Sequence, residues 1–229
     1  MPTQNKIAAL SYTALNTFVK CPLQFKLKFL DKALPFESSP ALEYGNRVHR
    51  ELELFFKQGR KLGDDLSTMH ALCAALKSAG EAPGAKLLVE KAMAVDEAGN
   101  KCSYWSDDVW IRAKVDLCIM NKGGAHASVF DWKTGKRWVE NEQLDLYAAL
   151  MFAHFPKLKS VSTAFVWTKT GKMDSVRHVR SDKDRLLSWA MELTEEARIA
   201  QRDDAWEANP GFSCKFCTAS TDQCEEKVE

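Results

Sequence analysis

The chain has 229 residues, 45% of them hydrophobic, enough for one full core or one core with a helical appendage. Its 32 Lys+Arg against 31 Asp+Glu leave a formal net charge of +1, so a nucleic-acid partner would need a local basic patch because no global field exists. No run approaches the ~20 apolar residues of a spanning helix, and the start MPTQNK followed by IAALSYTALNTF lacks a signal-peptide layout, so no membrane association and a cytoplasmic location are expected.

In chain order, SYTALNTFVK and CPLQFKLKFL read as two short helices, the first capped by Ser11 and the second opened by Cys21 and Pro22. ESSPALEYG reads as a loop, GNRVHRELELFF as a helix with Val48, Leu52 and Phe55/Phe56 at helical spacing, and DLSTMHALCAALKSAG as a further helix. The middle changes character. LLVEKAMAV, VWIRAKVDLCIM and SVFDWKTG read as strands, the second with Ile111, Ala113, Val115, Leu117 and Ile119 on one face and Arg112, Lys114 and Asp116 on the other. NEQLDLYAALMFAHF is a helix whose apolar face includes Leu144, Ala148 and Met151. KSVSTAFVWT and MDSVRHVR suggest a hairpin, and SDKDRLLSWAMELTEEARIAQ is a long helix opened by Ser181 with Asp184 at capping-box spacing.

The third strand poses a chemical question. Asp131 and Lys133 share one face of it while Phe130 and Trp132 take the other, so an acid stands beside an amine before a Thr-Gly turn. If this strand neighbours the previous one, Asp116, Asp131 and Lys133 surround one point. Two carboxylates with nearby carbonyl oxygens suit magnesium or manganese, and an ion there would polarise a phosphoryl oxygen. The spacing alone is common, since E225-E-K227 repeats it. Only D131-W-K133 lies in an apolar strand after another acid-bearing strand and before a helix that places Gln143 and Tyr147 on one face.

These segments together resemble the RecB-like branch of the PD-(D/E)xK nuclease superfamily. SYTALNTFVKCPLQFKLKFL is similar to that family's opening segment, YGNRVHRELE to its G-x-x-x-H helix, AKVDLCI to its aspartate-bearing strand, VFDWKTGK to its D-x-K core and QLDLYA to its Q-x-x-x-Y helix. Ala113 departs from the glycine usual there. The resemblance implies an α/β fold with a central mixed β-sheet flanked by helices, an N-terminal helical segment and a C-terminal cysteine-rich metal-binding tail. It implies one nuclease domain over 1–229, with a mainly helical part over 1–80, a core over 85–205 and a tail over 206–229 joined to Cys21. It also implies Mg2+ or Mn2+ held by His49, Asp116, Asp131 and the carbonyl of Trp132, a catalytic Lys133, DNA positioning by Gln143 and Tyr147, and an accessory acid at Glu90. The resemblance further implies an intracellular protein encoded by a bacterium or a bacteriophage.

Seven cysteines in an intracellular chain point to metal or isolated thiols ahead of disulfides. Cys214, Cys217 and Cys224 form C-x2-C-x6-C, which is three ligands and needs a fourth. In the subgroup that includes CRISPR-associated exonucleases, an N-terminal cysteine joins such a triplet to hold a [4Fe-4S] cluster. Cys21 occupies that place, with structural Zn2+ as the alternative. Lys133, Lys136, Arg137, Lys169, Lys172, Arg177 and Arg180, interleaved with Trp132, Trp138 and Trp167, suggest a surface for single-stranded DNA. The resulting expectation is a metal-dependent DNA exonuclease, with a homo-oligomer or a recombination or helicase partner as further possibilities. The alternative is a nonhydrolytic DNA-end-binding or scaffolding module.

Overall fold

The computed structural model describes residues 7–137 and 141–227. Helix α1, Tyr12–Lys20, starts where Ser11 Oγ accepts the Ala14 N–H at 3.2 Å. Helix α2, Pro22–Phe25, uses Cys21 Sγ as its cap and Pro22 as its first residue, then widens into a π-helical turn over Lys26–Leu30. Helix α3, Pro40–Gln58, begins earlier than the sequence suggested. Ser39 accepts the Leu42 N–H at 3.2 Å and Pro40 pre-sets the first turn, so PALEYG is helix and not loop. Gly59, at φ 68, supplies the left-handed stop. Helix α4 is Ser67–Glu81.

The sheet comprises β1 (Lys86–Val95), β2 (Lys101–Cys102), β3 (Ile111–Met120), β4 (His126–Lys133), β5 (Ser160–Trp167) and β6 (Lys172–Val179), in the order β2-β1-β3-β4-β5-β6. Every neighbouring pair is antiparallel except β4 and β5. Parallel neighbours need a crossover, which helix α5, Asn141–His154, provides. Helix α6, Lys183–Asp203, follows a 3-10 turn at Arg180–Asp182. Ser181 therefore does not cap it; Asp182 instead accepts the Val179 N–H at 3.3 Å.

Two apolar layers enclose the sheet. One joins Val48, Leu52 and Phe56 of α3 and Met69 and Cys73 of α4 to Phe130 and Trp132; the other joins α1, α5 and α6 to Ala127, Val129 and Phe165. Helix α5 has no single apolar face: Leu144 and every residue from Leu146 to Phe152 are buried, as befits a helix wedged between sheet and α6. The strands β1 and β3 change sides part-way. Ile111 and Val115 face the α5 layer, whereas Leu117 and Ile119 face the α3 layer; Leu87 and Val89 likewise oppose Met93 and Val95. The expected single apolar face on β3 thus ends at Val115. The switch lies between the pairs Val89↔Leu117 and Lys91↔Val115, where Glu90 adopts a left-handed φ of 56.

Candidate active site

The same place on β3 is where the sheet forks. Pairing with β4 stops at Leu117↔Phe130, so Asp116 and Asp131 are the first residues past the last rung. Beyond it, Asp131, Trp132 and Lys133 pair only with β5, and residues of α3 and α5 reach the gap from opposite faces. The packing that holds α3 in register is a near-parallel stack of Phe56 on Trp132, with centroids 5.9 Å apart. Gly45 allows close approach one turn before His49: a Cβ there would stand 3.3 Å from Thr134 Oγ1.

The gap gathers the acids and their partners. Asp116 Oδ1 lies 3.2 Å from His49 Nδ1, and its Oδ2 accepts the Trp132 N–H at 2.8 Å across the fork. Asp131 Oδ1 accepts from Tyr147 Oη at 2.7 Å and from Gln143 Nε2 at 3.3 Å. Gln143 Oε1 accepts from Lys133 Nζ at 2.9 Å. Lys133 Nζ also lies 2.6 Å from Asp131 Oδ2 as an ion pair, yet that oxygen has no aligned hydrogen-bond donor although it is buried. His49, Glu90 and Asp116 each offer a ligand atom, and all three atoms lie within 4.8 Å of one another. The seven side chains singled out in the sequence around the acids are therefore in one place, and the main chain of Trp132 is there with them.

Electrostatics accounts for what these groups need. Burial raises the Asp116 pKa, the His49 contact opposes this, and the Asp131 charge adds to it. Burial pulls His49 down, but the Asp116 hydrogen bond and the surrounding carboxylates outweigh it and leave the imidazole raised. Burial and the Asp131 charge push the Tyr147 phenol well above its ordinary value, so it remains a donor. Two acids, 8% and 5% exposed, one with an oxygen that no aligned hydrogen-bond donor fills and the other beside an imidazole and Glu90, fit a hard divalent cation. The sequence reading overlooked Lys114, whose ammonium pairs with Glu90 at the cleft wall. The alternation Arg112, Lys114, Asp116 was its available signal.

The four cysteines singled out at the ends, Cys21, Cys214, Cys217 and Cys224, line one pocket. Cys21 Sγ accepts N–H groups of Gln24 at 3.4 Å and Asn209 at 3.5 Å, and Cys214 Sγ accepts that of Gly211 at 3.3 Å. Thr218 and Gln223 donate to the carbonyls of Pro35 and Ala33, lacing the tail to the segment after α2.

Of the residues named for a DNA surface, Lys136, Lys169 and Lys172 are exposed, but the described tryptophans and the arginines are otherwise engaged. Trp132 and Trp167 are 2% and 5% exposed because strand residues between two helical layers point into a core. Trp138 lies outside the described residues. Arg137 is held by Asp174, Arg177 reaches Ser160, and Arg180 donates to the carbonyls of Phe152, Phe155 and Leu158.

A family model described as the PD-(D/E)XK nuclease superfamily matches residues 9–224, and the chain belongs to that superfamily. Among solved structures it is similar to SSO0001, at 13% identity over 98% of this chain and 89% of that one, with a TM-score of 0.49. It is also similar to an exonuclease candidate from Eubacterium rectale, at 15% identity over 92% of this chain and 87% of that one, with a TM-score of 0.51. An alkaline exonuclease, LHK-Exo from Laribacter hongkongensis, matches at 8% identity over 87% of this chain and 94% of that one, with a TM-score of 0.32. At such identities the likeness is one of fold. None of the curated proteins matches the chain. Among the described residues, no helix is long and apolar enough to cross a membrane.

Proposed function

We propose that the chain is a divalent-metal-dependent DNA exonuclease. The observation that carries this is the forked sheet, with Asp116 and Asp131 buried at its parting and the Lys133 ammonium held against Asp131. His49, Asp116, Asp131 and the Trp132 carbonyl would hold Mg2+ or Mn2+, and the convergence of Glu90 with His49 and Asp116 on one cleft supports Glu90 as an accessory acid. Such an ion, when bound, supplies Lewis acidity toward a phosphodiester oxygen and a nucleophilic water.

The chain's own groups do the positioning. Trp132 N–H fixes the rotation of Asp116, and Tyr147 and Gln143 fix that of Asp131, turning Oδ2 toward the Lys133 ammonium. Lys133, steadied by Gln143 Oε1, brings a positive charge to the place where charge builds on phosphate oxygens during displacement. Exonuclease action draws support from the name of the structural relative from Eubacterium rectale.

At the cysteines we place a structural [4Fe-4S] cluster. What supports a shared centre is that all four cysteines line one pocket, and structural Zn2+ held by the same four thiolates is the alternative. Recombination, repair or DNA-end processing are roles consistent with this chemistry.

Anaerobically purified protein, given end-labelled single- and double-stranded DNA, is expected to shorten it with Mn2+ and not with EDTA. The same preparation should carry iron and sulfide in equal amounts. Asp131→Ala and Lys133→Ala should abolish cleavage while still binding DNA. Retained cleavage in either variant would contradict the assignment, and zinc without iron would contradict the cluster.

A further inference from the structure

The N-terminal half of β3 runs from the acids to a second groove. Its free edge, left by the fork, is taken at the far end by the chain near Leu10, which bridges Ile111 and whose carbonyl accepts the Arg112 N–H at 2.9 Å. Beside this bridge opens a groove of about 600 Å3 whose walls include Lys28, Phe29, Lys32, Tyr104 and Arg112. No carboxylate lines it among the described residues. The contrast is local: Lys26, on the same turn, is neutralised by Asp31 at 3.1 Å, whereas Lys28 lies over the Phe29 ring.

Arg112 is held between aromatic rings, not by an acid. Its guanidinium lies 5.1 Å from the centroids of both Tyr104 and Trp105, and Trp105 is 80% exposed. A large aromatic surface is thereby kept in water, and two backbone positions at the groove, Ala9 at φ 52 and Lys32 at φ 53, are left-handed without being glycine. Such strain costs on the order of 1 kcal/mol or more at each position and persists where the surroundings impose it. Lys28 also lines an adjoining groove with Lys20 and the exposed rings of Phe212 and Phe216, again without a carboxylate among the described residues.

From these features we infer that the groove at Arg112, Tyr104 and Trp105 is a track for single-stranded DNA leading to the acids. The inference rests on the nuclease reading above and specifies the form of its substrate. Cations spaced along a groove neutralise phosphates, and exposed rings stack on unpaired bases, which a duplex keeps inside. Arg112 and Asp116 are four residues apart on one strand, a separation of ~13 Å. A strand gripped at Arg112 thus presents a phosphate a few nucleotides further on to the cleft. Lys114, exposed between them, is paired with Glu90 and lies along that line.

The test is the binding of a short fluorescent oligo(dT) to the full chain in EDTA, read by anisotropy at several salt concentrations. Trp105→Ala should weaken binding roughly tenfold, in line with the loss of one base-stacking ring. Arg112→Ala should weaken it and lower the salt slope by about one. The double variant Lys28→Ala/Lys32→Ala, which alters only exposed side chains, guards against a folding defect at Arg112. Lys157→Ala, at the opposite end of β5 from the cleft, should change nothing. Wild-type affinity in all the groove variants, or a blunt duplex competing as well as unlabelled oligo(dT), would overturn the inference. Variant-sensitive binding by a wild-type protein that cuts nothing with Mn2+ would leave the track standing and remove the nuclease reading.

Discussion

Tyr147 shows how much one side chain holds at the candidate site. Its hydroxyl donates to Asp131 Oδ1 and accepts from Gln143 Nε2 at 2.8 Å, so it fixes an acid and an amide together. Tyr147→Phe keeps the ring in its buried place and deletes both bonds. A hydrogen bond to a charged group contributes roughly 1.5–3 kcal/mol, part of which Gln143 retains by staying on Asp131. Urea unfolding of the variant should therefore show a loss of about 1–2 kcal/mol. Manganese-dependent turnover should fall about tenfold while oligo(dT) binding in EDTA is unchanged, since misplacing a reacting group by a fraction of an ångström is enough for such a loss. At this scale the sequence was informative: an acid and an amine two residues apart on a strand must share a face. Asp116 was harder to place, because its partner across the fork is a main-chain N–H, which no pattern of side chains reveals.

Among the elements, α5 depends on a residue that the sequence made look like a DNA contact. Arg180 donates to Leu158 O at 2.5 Å, Phe152 O at 3.1 Å and Phe155 O at 2.6 Å, closing the last carbonyls of α5 and the turn into β5. Such carbonyls lack partners within the helix, and a guanidinium with several donors can serve them together. Arg180→Ala should destabilise the protein by about 2–3 kcal/mol in chemical unfolding, with no loss of oligo(dT) affinity. Reduced affinity at unchanged stability would return Arg180 to the DNA surface. The strands and most helices were legible because periodicity and capping residues announce them. The start of α3 was missed because the Ser-Ser-Pro that opens it also looks like a loop, and the early end of the β3 face because the side switch comes from local backbone geometry beside Glu90.

Taken whole, the molecule carries one buried and one half-buried histidine that couple its stability to pH. His178 is fully enclosed, with Nε2 2.9 Å from Thr163 Oγ1 and Nδ1 3.6 Å from Asp145 Oδ1, and burial lowers its pKa despite that carboxylate. Burial lowers His154 as well, and the Ala94 carbonyl only partly opposes it. In both cases the folded pKa lies below the unfolded value of ~6.5, so the unfolded chain takes up protons first on acidification. The stabilisation is complete above that pH and is lost as the pH falls through about 6.5 toward the folded values. Asp145, which burial raises from 3.8, acts in the opposite sense at lower pH. His49, lowered by burial but raised on balance by the Asp116 hydrogen bond, acts in the opposite sense over the same range, so the check is a comparison: between about pH 7.5 and about pH 5.5 the melting temperature of His178→Gln should fall less, or rise more, than that of the wild type. An equal slope in the variant would count against this source.

The side switch at Glu90 and Asp116 also bears on which changes of length the chain tolerates. Because the alternation that assigns side chains of β1 and β3 to the two apolar layers reverses at the switch, adding or deleting one residue within either strand would send the side chains along that part of it to the wrong layer. Such a change would also turn Asp116 away from the fork. The Asn121–Ala125 connection between β3 and β4, with Gly123 and Gly124 already at positive φ, carries no such constraint. Insertions and deletions should accordingly collect in that turn, while the lengths of β1 and β3 stay fixed even as their individual residues drift.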